Sequence, residues 1–210
     1  MPSSSHCTQV MNPKTDNELI GIYVNNNFEG KGAEAFNCLY ERYRALLFRY
    51  LLWLCFYMVD KNQVRQQATE MFDQVWYKVI DELRVSDSRI VEQACQGTLK
   101  FVEYLLKIAT QNCPRSYRNN MQRPACHYLQ SRHSASHTEQ QRHIWEKLQA
   151  IVETFTATEH FVWCLQNVIG LNPAVIASLS ALNTDRLLEH EVKQHLVTIS
   201  KKIYAGLLGN

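Results

Sequence analysis

The residues best suited to bond-making chemistry lie in the middle of the chain: Cys126, His127, His133 and His137, with Cys113 as a further donor for a metal. Thiolate sulfur and imidazole nitrogen are the usual zinc donors, and the four-residue step from His133 to His137 suits one helix face. A structural or catalytic metal is what such a set would hold. Structural zinc, however, normally takes cysteines paired a few residues apart, and no such pair occurs here. The seven cysteines, Cys7, Cys38, Cys55, Cys95, Cys113, Cys126 and Cys164, are scattered and odd in number. Most sit in apolar runs, where cysteine behaves as a small hydrophobe. The reading is a reducing, cytoplasmic setting rather than a disulfide framework. No metal, cofactor or catalytic activity is expected.

Other polar residues suit binding instead. Net charge is only +2, but it is unevenly spread. Between Arg115 and His143 stand five arginines and four histidines against one acid, Glu139, and from Val192 onward there are three lysines and no acid. Local basic patches matter more to nucleic acid than net charge does. A second polar surface lies on QVRQQATEMFDQVW, residues 63–76. Ala68, Met71, Phe72, Val75 and Trp76 recur at helical steps, leaving Gln63, Arg65, Gln66, Thr69 and Glu70 on a face with little charge.

The elements that carry these residues are all helical. With 210 residues, 46% of them hydrophobic, the chain can bury one large core or two small ones. The first sixteen residues are polar, lack the apolar core of a signal segment and read as a loose tail. ELIGIYV is a short helix. AEAFNCLYERYRALLFRYLLWLCFYMV is a long one, with Phe36, Leu39, Tyr40, Tyr43, Leu47 and Tyr50 at helical spacing. Its greasiest fifteen residues contain Arg49 and fall short of the roughly 20 needed to span a bilayer, so the helix is expected in a core, with no membrane partner. A helix over residues 64–83 follows, then a loop at 84–97 holding a short helix, then a helix over 99–111 with Phe101, Tyr104, Leu105 and Ile108 on one stripe. The apolar pattern then vanishes until residue 143, which predicts a flexible linker.

The last part predicts a second helical domain. IWEKLQAIVETF and TEHFVWCLQNVIG are helical, Gly170 ends a helix, and Asn172-Pro173 starts the short AVIASL. The turn ALNTD precedes a helix through EVKQHLVTISKKIYAGLL. Helix, turn, basic helix is the outline of a helix-turn-helix. Val192, Leu196, Ile199 and Ile203 form the predicted buried stripe of that last helix. Lys193, Gln194, His195, Thr198 and Lys201 are then candidates for DNA contact: glutamine reads an adenine edge and lysine neutralises phosphate. The same lysines also complement the helix's own dipole, so an ordinary amphipathic helix stays open at this point.

The phrases of the N-terminal half resemble bacterial RNA polymerase sigma factors of the extracytoplasmic-function type. AFNCLYERYRALLFRY is similar to the opening of that family's region 2, EMFDQVW to its E-x-F-x-x-V-W, and FVEYLLKIATQ to its F-x-x-W-L-x-x-I-A-x-N, with Tyr104 at the tryptophan. VWCLQNVIGLNPAVIASL and EVKQHL resemble region 4. The resemblance covers residues 18–119 and 144–208. It implies an all-α protein of two domains: a tail (1–16), a region 2-like helical bundle (17–119), a linker (120–143) and a region 4-like helix-turn-helix (144–210). It also implies a non-enzymatic alternative sigma factor, which binds core polymerase, opens the −10 element with the first domain and reads the −35 element with the second. Tyr104, Lys107, Arg115 and Arg118 become the candidates for −10 contact, and Lys193, Gln194, His195, Thr198 and Lys201 for −35 contact.

The resemblance makes the 64–83 helix the polymerase contact, with Arg65, Gln66, Thr69, Glu70, Asp73 and Trp76 as its candidate residues. In the family this helix starts Asp-Ala-Glu-Asp and faces the basic clamp helices of the β′ subunit. Here the positions hold Gln63, Val64, Arg65 and Gln66, so the acids are missing and one sign is reversed. Lost complementarity weakens and slows association. Thr69 is therefore a candidate phosphosite for a Ser/Thr kinase: phosphate adds about −1.5 to −2 charge and three acceptors, with Arg65 one turn away. An anti-sigma protein is the other regulatory partner considered, and it leaves no sequence mark. The rival reading is a degenerate sigma-like regulator that binds DNA or a partner but never polymerase. Two stretches, 84–97 and 181–190, are longer than the family's usual connections.

Overall fold

The computed structural model describes residues 11–26, 29–56, 63–85, 88–112, 139–182 and 186–208. Every regular element among them is a helix. They run α1 (Asp16–Asn25), α2 (Lys31–Phe56), α3 (Val64–Arg84), α4 (Arg89–Cys95), α5 (Phe101–Asn112), α6 (Glu139–Glu153), α7 (Ala157–Trp163), a π-helical turn (Cys164–Ile169), α8 (Pro173–Ser180) and α9 (Glu189–Leu208). The chain divides into two compact units, Met1–Leu52 with Arg65–Asn112, and Trp53–Val64 with Cys113–Asn210. No helix among the described residues is long and apolar enough to cross a membrane.

In the first unit, α1 starts on a capping box. The Thr15 hydroxyl accepts from the Glu18 N–H, and the Glu18 carboxylate accepts from the Thr15 N–H at 2.7 Å. The same start is held to α2: Asp16 accepts from both the Arg42 guanidinium and the Tyr43 hydroxyl. Arg42 also donates to the carbonyls of Asn12 and Lys14. The apolar stripe of α2 is buried at Leu39, Leu47, Tyr50 and Leu51. Arg49 lies at the surface, which is how a run this greasy serves a core helix. α2 and α5 are joined by a buried polar chain in which Tyr50 bonds Thr110 at 2.7 Å and Thr110 donates to the Leu106 carbonyl at 2.8 Å.

The cysteines need one correction. Cys55, Cys95 and Cys164 are free thiols, but Cys38, buried on α2, is disulfide-bonded. Position along a sequence does not reveal which sulfurs meet in space.

In the second unit, α6 begins at Glu139, inside the span read from sequence as linker, because EQQRH carries no apolar residue to announce a helix. α7 opens on another capping box, Thr156 with Glu159. The π turn that follows ends at Gly170, whose φ of 90° needs a residue without a Cβ. Asn172 caps α8 through the Val175 N–H, with Pro173 in the first turn. α9 packs closely on α6: a Cβ on Gly206 would stand 2.6 Å from the Ile151 side chain. Of the stripe predicted for α9, Val192 and Ile199 are buried, while Leu196 and Ile203 are only half-buried.

Candidate docking faces for polymerase and DNA

α3 divides cleanly into two faces. Ala68, Met71, Val75, Val79 and Leu83 point into the first unit's core. Arg65, Gln66, Thr69 and Glu70 are exposed and Asp73 is half-exposed. Gln66 donates to the Glu70 carboxylate at 3.0 Å, so two of the candidate contact residues are already ordered against each other. The Thr69 hydroxyl donates to the Arg65 carbonyl at 2.9 Å, the back-bond a threonine makes in mid-helix. A kinase acting on Thr69 must first draw that hydroxyl off the backbone.

Trp76 is the exception among the candidates. It is 5% exposed, with its ring 5.1 Å from Tyr40, 5.7 Å from Phe36 and 6.3 Å from Phe72. The reason is register: Trp76 continues the apolar stripe of Ala68 and Phe72 at helical spacing, so it supports the outward face from beneath rather than forming it.

The residues proposed for −10 contact are only partly described. Tyr104 is half-buried between α5 and α3. Its hydroxyl donates to the Glu82 carboxylate at 2.9 Å and its ring lies 6.0 Å from Phe101. Burial, then the Glu82 carboxylate, raise its pKa well above the ordinary tyrosine value. This Tyr104 is a helix-to-helix tie, and its ring is engaged. Lys107 is half-exposed on the same helix. Arg115 and Arg118 lie outside the described residues, as do Cys113, Cys126, His127, His133 and His137. Among the described residues no cluster of three His, Cys, Asp or Glu is placed to hold a metal.

In the second unit, α8, a turn and α9 present the residues proposed for −35 contact. Ser180, at the end of α8, closes the turn: its hydroxyl accepts from the Leu187 N–H at 2.9 Å and donates to the Ala177 carbonyl at 2.7 Å. The Leu188 N–H donates to Glu191, which caps α9. Gln194, Thr198 and Lys201 are exposed and His195 is half-exposed. Lys193 is exposed too, but its ammonium pairs with Glu189 at 2.6 Å one turn earlier.

Sequence reasoning missed two features. Tyr77 of α3 is 68% exposed on the outward face, and Tyr204 of α9 is 70% exposed. Along α9, Leu196, Val197, Ser200, Lys201 and Tyr204 line an open cavity of about 510 Å³. The signal was available in the helical spacing: Tyr77 lies seven residues after Glu70, and Tyr204 seven after Val197.

Compared with known proteins, the chain matches no family model, no curated protein and no solved structure.

Proposed function

We propose that this chain is an alternative sigma factor of the extracytoplasmic-function type, working in the cytoplasm. Its first unit binds core RNA polymerase through the outward face of α3 and its second reads promoter DNA through α9. The observation that carries the reading is the α3 face itself. Gln66, Thr69 and Glu70 stand exposed on a long helix whose opposite side is locked into an aromatic core. That is a rigid polar ridge suited to lie against a basic helical partner. The helix-turn-helix outline of α8 and α9, with Gln194, Thr198 and Lys201 outward, supports duplex contact.

Regulation enters at Thr69. A phosphate there replaces part of the missing acidity, and Arg65, one turn earlier and exposed, is within reach of it. The second reading, a sigma-like regulator that never engages polymerase, draws on the absent acids at the start of α3. Transcription with purified core enzyme separates the two. Promoter-dependent initiation by the wild-type chain, or by Thr69→Glu, supports the sigma reading; failure of both, with duplex binding retained, favours the regulator.

A further inference from the structure

At the start of α3 the residues that would meet a basic partner are uncharged or positive, yet the helix is not short of acid. Glu70, Asp73, Tyr77 and Asp81 follow one another at steps of three, four and four residues, so they form a single line along the helix. Glu70, Tyr77 and Asp81 are exposed and Asp73 is half-exposed. Neither Asp73 nor Asp81 forms an ion pair among the described residues, and Glu70 is bonded only to the neutral amide of Gln66. Of the cations on α3, one shares this line and two flank it. Arg84 continues the line three residues past Asp81 but is engaged with the Tyr23 hydroxyl, while Arg65, five residues before Glu70, and exposed Lys78, next to Tyr77, stand on its flanks. From Glu70 to Asp81 the line is therefore a negatively charged strip with a bare aromatic ring inside it, closed at its far end by the engaged Arg84.

We infer that the polymerase-facing contact of this chain is displaced along α3, with Tyr77 as its aromatic anchor and Glu70, Asp73 and Asp81 as its acidic frame, and that its occupant is a basic helical surface carrying arginine. The inference rests on the polymerase reading and deepens it. The displacement from Gln66 to Tyr77 is eleven residues, or ~16 Å at the α-helical rise. Charge complementarity selects a cationic partner. The phenol ring selects a guanidinium among cations, because arginine stacks on an aromatic face while its neighbours pair with carboxylates. Tyrosine is also among the side chains that concentrate binding energy when covered by a partner. Tyr77 lies far from the buried stripe, so its removal leaves the core unchanged.

The test is the affinity of the full chain, isolated from the cells that make it, for core RNA polymerase across a range of salt. Tyr77→Ala should weaken binding about tenfold or more, while Tyr77→Phe should stay close to wild type because it keeps the ring. Asp81→Lys should weaken binding by a similar factor and flatten its salt dependence. Thermal melting of each variant should match the wild type. If wild type binds and Tyr77→Ala and Asp81→Lys bind within about twofold of it, the displaced contact is wrong and the sigma reading survives. If no form of the wild-type chain binds core polymerase, both fall together.

Discussion

The ammonium of Lys202 on α9 lies 2.8 and 2.7 Å from the two carboxylate oxygens of Glu159 at the start of α7. Glu159 is 4% exposed, and it also accepts the Thr156 N–H of its own capping box. One carboxylate thus holds the first turn of α7 and fixes the helix proposed to enter DNA. The Phe155 ring lies 5.8 Å from the same ammonium. Removing the cation strands a buried charge, so Lys202→Met should destabilise the second unit by about 1–3 kcal/mol. Glu159→Gln, which removes the charge but keeps an acceptor, should cost less. Urea unfolding followed by tryptophan fluorescence measures both.

Acid should unfold the second unit early. Burial raises the Glu159 pKa, but hydrogen bonds from Lys202 and Thr156 outweigh it and leave the carboxyl below its usual value of 4.5. Burial lowers the pKa of neighbouring His160 from 6.5, against a smaller opposing pull from Glu159. Both groups bind fewer protons folded than unfolded, so both stabilise at higher pH and lose that contribution as pH falls. The loss begins below pH 6.5 through His160 and deepens below 4.5 through Glu159. Melting temperature against pH should therefore decline in two stages, and His160→Gln should remove the upper one.

Trp76→Ala should act through folding. Emptying an aromatic site against Tyr40, Phe36 and Phe72 should cost the first unit about 3–5 kcal/mol. Any loss of polymerase binding should follow the loss of folded protein and recover on cooling or addition of a stabilising osmolyte. A binding defect in fully folded Trp76→Ala protein would put the ring in the interface instead.

Tyr50 and Thr110 should behave as a coupled pair. Tyr50→Phe removes the donor to the Thr110 hydroxyl and should cost about 1 kcal/mol. Thr110→Val should cost a similar amount or more, since it also gives up the bond to the Leu106 carbonyl. The double variant should lose less than the sum of the two single losses, because they share one bond. Chemical denaturation of the four proteins closes the cycle.

On duplex DNA, the lysines of α9 should not count equally. Lys193 is engaged by Glu189, whereas Lys201 is exposed and forms no ion pair among the described residues. Lys201→Ala should lower the slope of log affinity against log salt by about 0.9, as expected for one lost phosphate contact. Glu189→Gln should tighten binding by releasing Lys193. Fluorescence anisotropy on a labelled duplex at several salt concentrations reads both.

The helix boundaries were legible where chemistry punctuates the chain. Asn172-Pro173 starts α8 as read, whereas the capping boxes Thr15-x-x-Glu18 and Thr156-x-x-Glu159 went unread, the first lying at the edge of the stretch assigned to a tail. The apolar steps of α3 placed that helix within a residue of its observed span. What stayed hidden depends on three-dimensional neighbours. The π turn at Cys164–Ile169 looks in sequence like more α-helix, because widening by one residue leaves the apolar pattern nearly intact. Trp76 was assigned outward from a family phrase, although its own spacing placed it with Phe72. Tyr104 already has a partner in Glu82, a residue 22 positions away that no local pattern links to it. The disulfide at Cys38 left no mark in the cysteine spacing.

The Ser180 hydroxyl clasps the chain seven residues later, at Leu187. With the two ends of the connection pinned by one side chain, its interior can grow or shrink while both helices keep their places. Closing a longer loop is entropically cheap, about 0.6 kcal/mol for each doubling. The joint between α8 and α9 is thus a natural acceptor for grafted sequence: glycine-serine residues inserted after Leu182 should be tolerated, and replacing Ser180 with alanine should abolish that tolerance.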